Sequence, residues 1–156
     1  MKKALLIGGT GVITLSVTRR LLQSGEWDVT VMNRGTHPEL VPQGAKLLCC
    51  DISDKAAASA ALNGQHYDCV AQFNNFTPEQ AERDIRLFAG RTDQIIYITT
   101  TSAYRKPAPS PWITESTPLC NPYWQYSRDK IACERVLFDE FVRSGFPVTV
   151  VRPSHT

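Results

Sequence analysis

No stretch of this sequence is apolar for long enough to cross a bilayer, which takes about 20 residues as a helix. Neither sign of charge dominates. Seventeen Lys and Arg stand against 15 Asp and Glu, a net +2, which sets up no field strong enough to draw nucleic acid or an anionic membrane. Histidine is scarce and scattered: His37, His66 and His155 read as plain surface residues, so a metal site has no support. The five cysteines, Cys49, Cys50, Cys69, Cys120 and Cys133, show no CxxC spacing and no nearby histidine cluster. They read as reduced packing residues of a cytoplasmic protein. There is no internal repeat and no low-complexity tract. The opening MKKALLIGG imitates a short signal peptide. Its apolar run is too short, no small-residue cleavage site follows, and it reads as a first strand.

What is present is a chain of 156 residues, 42% hydrophobic and 21% charged. That is one globular domain able to bury a sizeable core. Strand and helix signals alternate along it. Strands are expected at Ala4 to Ile7, Val29 to Met32, Ala45 to Cys50, Tyr67 to Phe73, Gln94 to Thr99 and Pro147 to Val151. Ala45 to Cys50, apolar apart from Lys46, is expected to be a strand covered on both faces. Helices are expected from Val12 to Leu22, with Gly25 as the stop, and from a Ser53 cap through Leu62, with Asn63-Gly64 as the end. A further helix opens at Pro78 and closes at Gly90. A loop holding Pro107, Pro109, Pro111, Pro118 and Pro122 then leads to a long helix from Tyr123 to Arg143. Such alternation predicts an α/β fold. It is a doubly wound parallel sheet with strand order 3-2-1-4-5-6 and helices on both faces, the Rossmann arrangement.

Sheets of this kind bind ligands beyond the carboxyl ends of their strands. Gly8, Gly9, Thr10 and Gly11 leave the first strand, and Val12-Ile13 open the helix after it. Glycines allow a tight turn and a close approach to a pyrophosphate, and the helix N–H groups face its charge. The plain alternative is a strand-to-helix turn with no ligand. Thr14 stands where a third glycine would permit close helix–strand packing, so the helix is expected to sit slightly outward. The second strand ends in Asn33-Arg34 rather than in the carboxylate that would accept a ribose 2′-hydroxyl. A guanidinium binds a 2′-phosphate well, so NADP is expected ahead of NAD. The alternative is a solvated Arg34 paired with Glu39. After the third strand, Asp51 can meet the adenine amino group and Ile52 its ring. Asp51 reads equally well as a turn residue leading to the helix cap. Phe73 and Asn74 mark the end of strand four.

Tyr126 and Lys130 lie one helical turn apart. A phenol with a pKa near ~10 is a poor base at neutral pH, and a lysine on the same face favours the phenolate. Thr99, Thr100, Thr101 and Ser102 offer hydroxyls at the end of strand five, one loop upstream. Tyr123 has Ser127, not a lysine, four residues on. The alternative for the pair is a surface phenol and a solvated lysine.

The segments IGGTGVIT, YITTTSAY, ESTP, NPYWQYSRDKIACE and VVRPSHT, in this order across the whole chain, resemble the N-terminal part of an extended short-chain dehydrogenase/reductase. The kind is the NAD-dependent epimerase/dehydratase. The resemblance implies that Tyr126 is the general acid/base and that Lys130 lowers its pKa and holds the nicotinamide ribose. It makes Thr100, four residues before Tyr104, the active-site hydroxyl, with Thr101 as the fallback. It sets Pro153 and Ser154 beside the nicotinamide. Asn74-Asn75 replaces a pair of small residues common after strand four, narrowing the channel beside the dinucleotide or donating hydrogen bonds to it. Family members are much longer, so residues 1–156 are expected to be the NAD(P)-binding domain, with the C-terminal substrate-binding domain absent. The parent is expected to be a cytoplasmic oxidoreductase or isomerase (epimerase, dehydratase or reductase), able to form a homodimer, acting on a nucleotide sugar or similar polyol. The fragment itself is expected to be inactive. The rival reading is a non-catalytic NAD(P)-binding regulatory or RNA-associated module. The absence of a basic, aromatic-interleaved stripe weighs against RNA.

Overall fold

The first strand decides the sheet. In the computed structural model, which describes residues 1–8 and 10–154, Ala4 to Ile7 are all buried. Strand β1 (Lys2–Ile7) is therefore covered on both faces, as interior parallel strands are. It pairs in parallel with β2 (Trp27–Asn33) on one side and with β4 (Cys69–Gln72) on the other. With β3 (Lys46–Cys49), β5 (Ile95–Ile98) and β6 (Val148–Val151), the order is β3-β2-β1-β4-β5-β6. Every pairing is parallel. The doubly wound order expected from the strand–helix alternation is the order observed.

Successive side chains of β1 point to opposite faces. Leu5 and Ile7 join Met32, Leu62, Phe88 and Leu137 in the larger core cluster. Leu6 joins Val29, Val17, Leu21 and Leu22 on the other face. Helix α1 (Val12–Ser24) thus covers one face, while α2 (Lys55–Ala61), α3 (Pro78–Phe88) and α4 (Gln125–Ser144) cover the opposite one. Right-handed crossovers require this division. The chain steps one way across the sheet from β1 to β3 and the other way from β3 to β6.

Most helix ends obey their local signals. Gly25 and Gly145 close α1 and α4 in the left-handed region, at φ 68° and 73°. Pro78 occupies the first turn of α3, and Gln80 Oε1 accepts the Thr77 N–H at 3.3 Å. Two expected boundaries are corrected. The cap of α2 is Asp54, not Ser53: the Asp54 carboxylate accepts the Ala56 and Ala57 N–H groups, both at 3.0 Å. The Ser53 N–H is instead drawn to Asp51 Oδ1. Helix α4 begins at Gln125 rather than Tyr123, because Asn121 Oδ1 accepts the Tyr123 N–H and holds that stretch in a turn.

Two further expectations fail on burial. β3 is an edge strand, and Leu47 is 39% exposed. Its apolar run does not mark a strand covered on both sides. Of the five thiols, all free, only Cys133 is a buried packing residue; Cys49 and Cys120 are exposed.

Candidate functional site

The carboxyl ends of the strands open into two adjoining cavities that share Gly8 and Phe73. One, of about 470 Å³, lies over β1, β2 and β3 and is lined by Thr10, Asn33, Arg34, Asp51, Ile52 and Asn74. The other, of about 380 Å³, runs past the start of α1 to α4 and is lined by Gly11, Val12, Ile13, Thr100, Tyr126, Lys130, Pro153 and Ser154. Together they form one trough along the sheet edge. Almost every site residue expected from the sequence lines it. Gly9 lies outside the described residues. Thr101 lines only a neighbouring depression, with Ser102, Tyr104 and Arg152.

Gly8 turns the chain out of β1 with φ +88°, and a Cβ added there would stand 2.9 Å from Asn74 Cβ. Both constraints demand glycine. Gly11 caps α1 with extended backbone, and no side chain caps the helix. The first-turn N–H groups of α1 thus face the trough with the positive end of the helix dipole. Thr14 is 2% exposed, and its hydroxyl donates to the Gly8 carbonyl at 3.4 Å. The space a glycine would leave is filled by a side chain that reaches back to the turn.

At the β2 end, Asn33 Oδ1 accepts the Gly35 N–H at 2.8 Å, while its Nδ2 is buried with no partner among the described residues. Glu39 pairs with His37 at 3.1 Å rather than with Arg34. Among the described residues Arg34 enters no ion pair, and it borders the cavity. Asp51 forms the turn that was its alternative reading, accepting the Ser53 N–H at 2.9 Å. Ile52 is 4% exposed and belongs to the core while also bordering the cavity.

At the α4 end, Tyr126 and Lys130 share a face, with Lys130 Nζ 5.8 Å from the Tyr126 ring centroid. Trp124 and Phe76 flank the phenol, their ring centroids 4.8 and 6.5 Å from that of Tyr126. Burial pushes the Tyr126 phenol above its ordinary value, and a contact from the Thr100 hydroxyl opposes that push. Thr100 Oγ1 accepts the Ser102 N–H at 3.1 Å and donates to Ser102 Oγ at 3.0 Å. Ser127 Oγ donates to the same Ser102 oxygen at 2.9 Å. Thr99 is directed elsewhere, donating to Glu134 Oε1 at 2.7 Å. Lys130 is 2% exposed. Burial pulls its amine down to about 8, while the nearby Glu134 carboxylate pulls the other way.

Sequence reasoning missed the groups behind this end. Asn75 does not border the trough. It is fully buried and accepts the Lys130 ammonium, so the expectation that it narrows the dinucleotide channel is corrected. Gln72 and Asp84 stand behind it. The Asn75–Lys130 contact joins positions 55 residues apart, and no local spacing announces it. Tyr123 is 75% exposed.

The trough fits an extended anion-bearing cofactor. An uncapped helix start would meet a pyrophosphate, and the unpartnered Asn33 Nδ2 beside Arg34 offers donors at one end. Among the described residues no group of three His, Cys, Asp or Glu side chains could hold a metal, and no helix is long and apolar enough to cross a membrane.

The sequence model of the NAD dependent epimerase/dehydratase family matches residues 4–156. A curated relative, the 2′-dehydrokanamycin reductase of Streptomyces kanamyceticus, is 26% identical over 135 residues, covering 86% of this chain and 37% of the reductase. A crystal structure of UDP-glucose 4-epimerase superposes with a TM-score of 0.82 at 23% identity, over 96% of this chain and 50% of that one. The dTDP-glucose 4,6-dehydratase of Bacillus anthracis, solved in complex with NAD, superposes with a TM-score of 0.81 at 16% identity, over 97% and 54% of the two chains. The chain therefore spans about half the length of these structures, and less of the reductase.

Proposed function

The chain belongs to the NAD dependent epimerase/dehydratase family, and from that premise we propose that residues 1–156 are the dinucleotide-binding and proton-transferring domain of a nicotinamide-dependent epimerase, dehydratase or reductase. Its substrate class is a nucleotide sugar or similar polyol bearing a carbinol. The observation that carries this reading is the single trough with Asn33 and Arg34 at one end and Thr100, Tyr126 and Lys130 at the other.

Bound nicotinamide would supply the hydride acceptor or donor and, when oxidised, a positive charge. Gly8, Gly11 and the first turn of α1 would hold the pyrophosphate. Pro153 and Ser154 would border the nicotinamide end. In the oxidation direction Tyr126 takes the proton of the carbinol oxygen, and the Thr100 hydroxyl orients that oxygen. Burial holds the Tyr126 phenol above its ordinary value, against the opposing contact from Thr100. The Lys130 cation and the oxidised cofactor are the charges available to bring it down. The end of β2 carries Asn33 and Arg34 rather than a carboxylate, and among the described residues Arg34 enters no ion pair, which supports NADP ahead of NAD. Phe141 and Val142, 53% and 82% exposed on α4, support pairing of that helix with a second copy.

Separate titrations of NADPH and NADH into the chain, followed by nicotinamide fluorescence and calorimetry, test the reading. The expected result is saturable binding of both, tighter for NADPH. If neither binds, the trough is not a dinucleotide site.

A further inference from the structure

A lysine ammonium has three N–H donors and no acceptor. In Lys130 all three are used within the protein. Nζ donates to the Asn75 backbone carbonyl, to Asn75 Oδ1 at 3.0 Å and to the Ile98 carbonyl at 3.0 Å. Two of the three acceptors belong to one residue on the loop after β4. That residue is held in turn. Asn75 is 0% exposed, and its Nδ2 donates to the Gln72 carbonyl at 3.2 Å. Gln72 is also 0% exposed, and its Nε2 donates to Asp84 Oδ2 at 2.9 Å. Asp84 Oδ1 receives Arg83 Nε and Nη2 at 2.9 and 2.8 Å. Gln72 Oε1 accepts the Asn74 N–H at 2.9 Å. The amide of Asn75 therefore has one tenable orientation. Turned over, it would set an NH₂ group against the ammonium and a carbonyl oxygen against the Gln72 carbonyl.

We propose that Asn75 is the positioning residue of this site, clamping the Lys130 ammonium with its backbone carbonyl and its side-chain oxygen so that a fixed cation stands beside Tyr126. The catalytic consequence rests on the function proposed above; the clamp itself does not. Each element around the ammonium has a defined part. Glu134, on the helix that bears Lys130, is the charged group that favours protonation, while burial keeps the neighbouring Cys133 thiol neutral in the range where the lysine titrates. Tyr126 lies on the same face, β5 contributes the Ile98 carbonyl, and the loop after β4 contributes Asn75. Burial works against all of them. The Oδ1 bond is the part of the clamp that a substitution can remove without moving the backbone. Its loss would weaken the hold on the ammonium and lower the share of the charged form beside the phenol.

The test uses the chain without cofactor, so that failure of cofactor binding and failure of the clamp are read separately. Lysines labelled with ¹³C at Cε are titrated by NMR, with Lys130 assigned by its disappearance in Lys130→Arg. The Lys130 midpoint is expected to fall by about one pH unit in Asn75→Ala, the size of one lost hydrogen bond to a charged group. It is expected to rise above wild type in Asn75→Asp, which keeps the acceptor and adds a negative charge. Opposite shifts establish the clamp. Unchanged midpoints, or shifts of the same sign in both variants, overturn it. Should Asn75→Ala fail to fold by circular dichroism, the near-isosteric Asn75→Asp decides alone: a raised midpoint supports the clamp and an unraised one refutes it.

Discussion

Arg152 grips Glu134 beneath the carboxyl edge of the sheet, donating to its carboxylate at 2.6, 3.0 and 3.1 Å. Glu134 is 1% exposed, and its Oε1 also accepts the Thr99 hydroxyl at 2.7 Å. A fourth guanidinium bond reaches the Tyr104 hydroxyl at 3.1 Å. One buried carboxylate thus ties the middle of α4 to the residue after β5 and the residue after β6. The two threonines at that edge both border the trough, but Thr99 commits its hydroxyl to Glu134 while Thr100 turns its hydroxyl to Ser102 and Tyr126.

Removing the carboxylate would leave the Arg152 charge uncompensated in a largely buried setting. Breaking such a pair costs about 3 kcal/mol or more. Glu134→Gln is expected to lose that much in urea unfolding. A loss below about 1 kcal/mol, the range of an exposed ion pair, would show that water reaches the pair.

Arg34 carries the NADP assignment. Arg34→Ala is expected to weaken NADPH binding about tenfold, as loss of a charge-assisted contact to a phosphate does, and to leave NADH binding nearly unchanged. Calorimetry with both cofactors checks this. An equal loss for both would place Arg34 on the shared part of the dinucleotide, and no loss would leave it a solvated loop residue.

Tyr126→Phe removes only the phenol oxygen. In the protein turning over its substrate, kcat is expected to fall about 10²- to 10⁴-fold, the range of a positioned acid or base. The cofactor Kd should remain within about twofold of wild type. Unchanged biological activity in this variant would favour a non-catalytic cofactor-binding module.

The buried lysine has a signature in stability. Its folded-state pKa, about 8, lies below its ordinary value of 10.5. Between those values the unfolded chain binds the proton that the folded chain releases, so this group makes stability rise with pH across that window. Other groups titrate there too, and the difference between wild type and Lys130→Met isolates the contribution. From pH 8 to 10.5 the wild type should gain on the variant by up to about 3 kcal/mol in urea unfolding. A flat difference would mean that Lys130 keeps its ordinary affinity for the proton in the fold.

Local rules settled much of this protein from sequence. The Gly25 stop of α1, the Pro78 start of α3 and the one-turn spacing of Tyr126 and Lys130 depend only on neighbouring residues, and all three are observed. The strand order follows from strand–helix alternation together with the handedness of crossovers, and it too is observed. The tertiary structure decided whatever depends on which side of an element meets which neighbour. It made β3 an exposed edge. It joined Glu134 to Arg152 and Asn75 to Lys130, pairs 18 and 55 residues apart. Backbone propensity acts over a few residues, whereas a buried charge is satisfied by whichever acceptors the folded sheet brings to it. The pattern YSRDK therefore names the phenol and the amine, and the fold alone supplies what holds the amine in place.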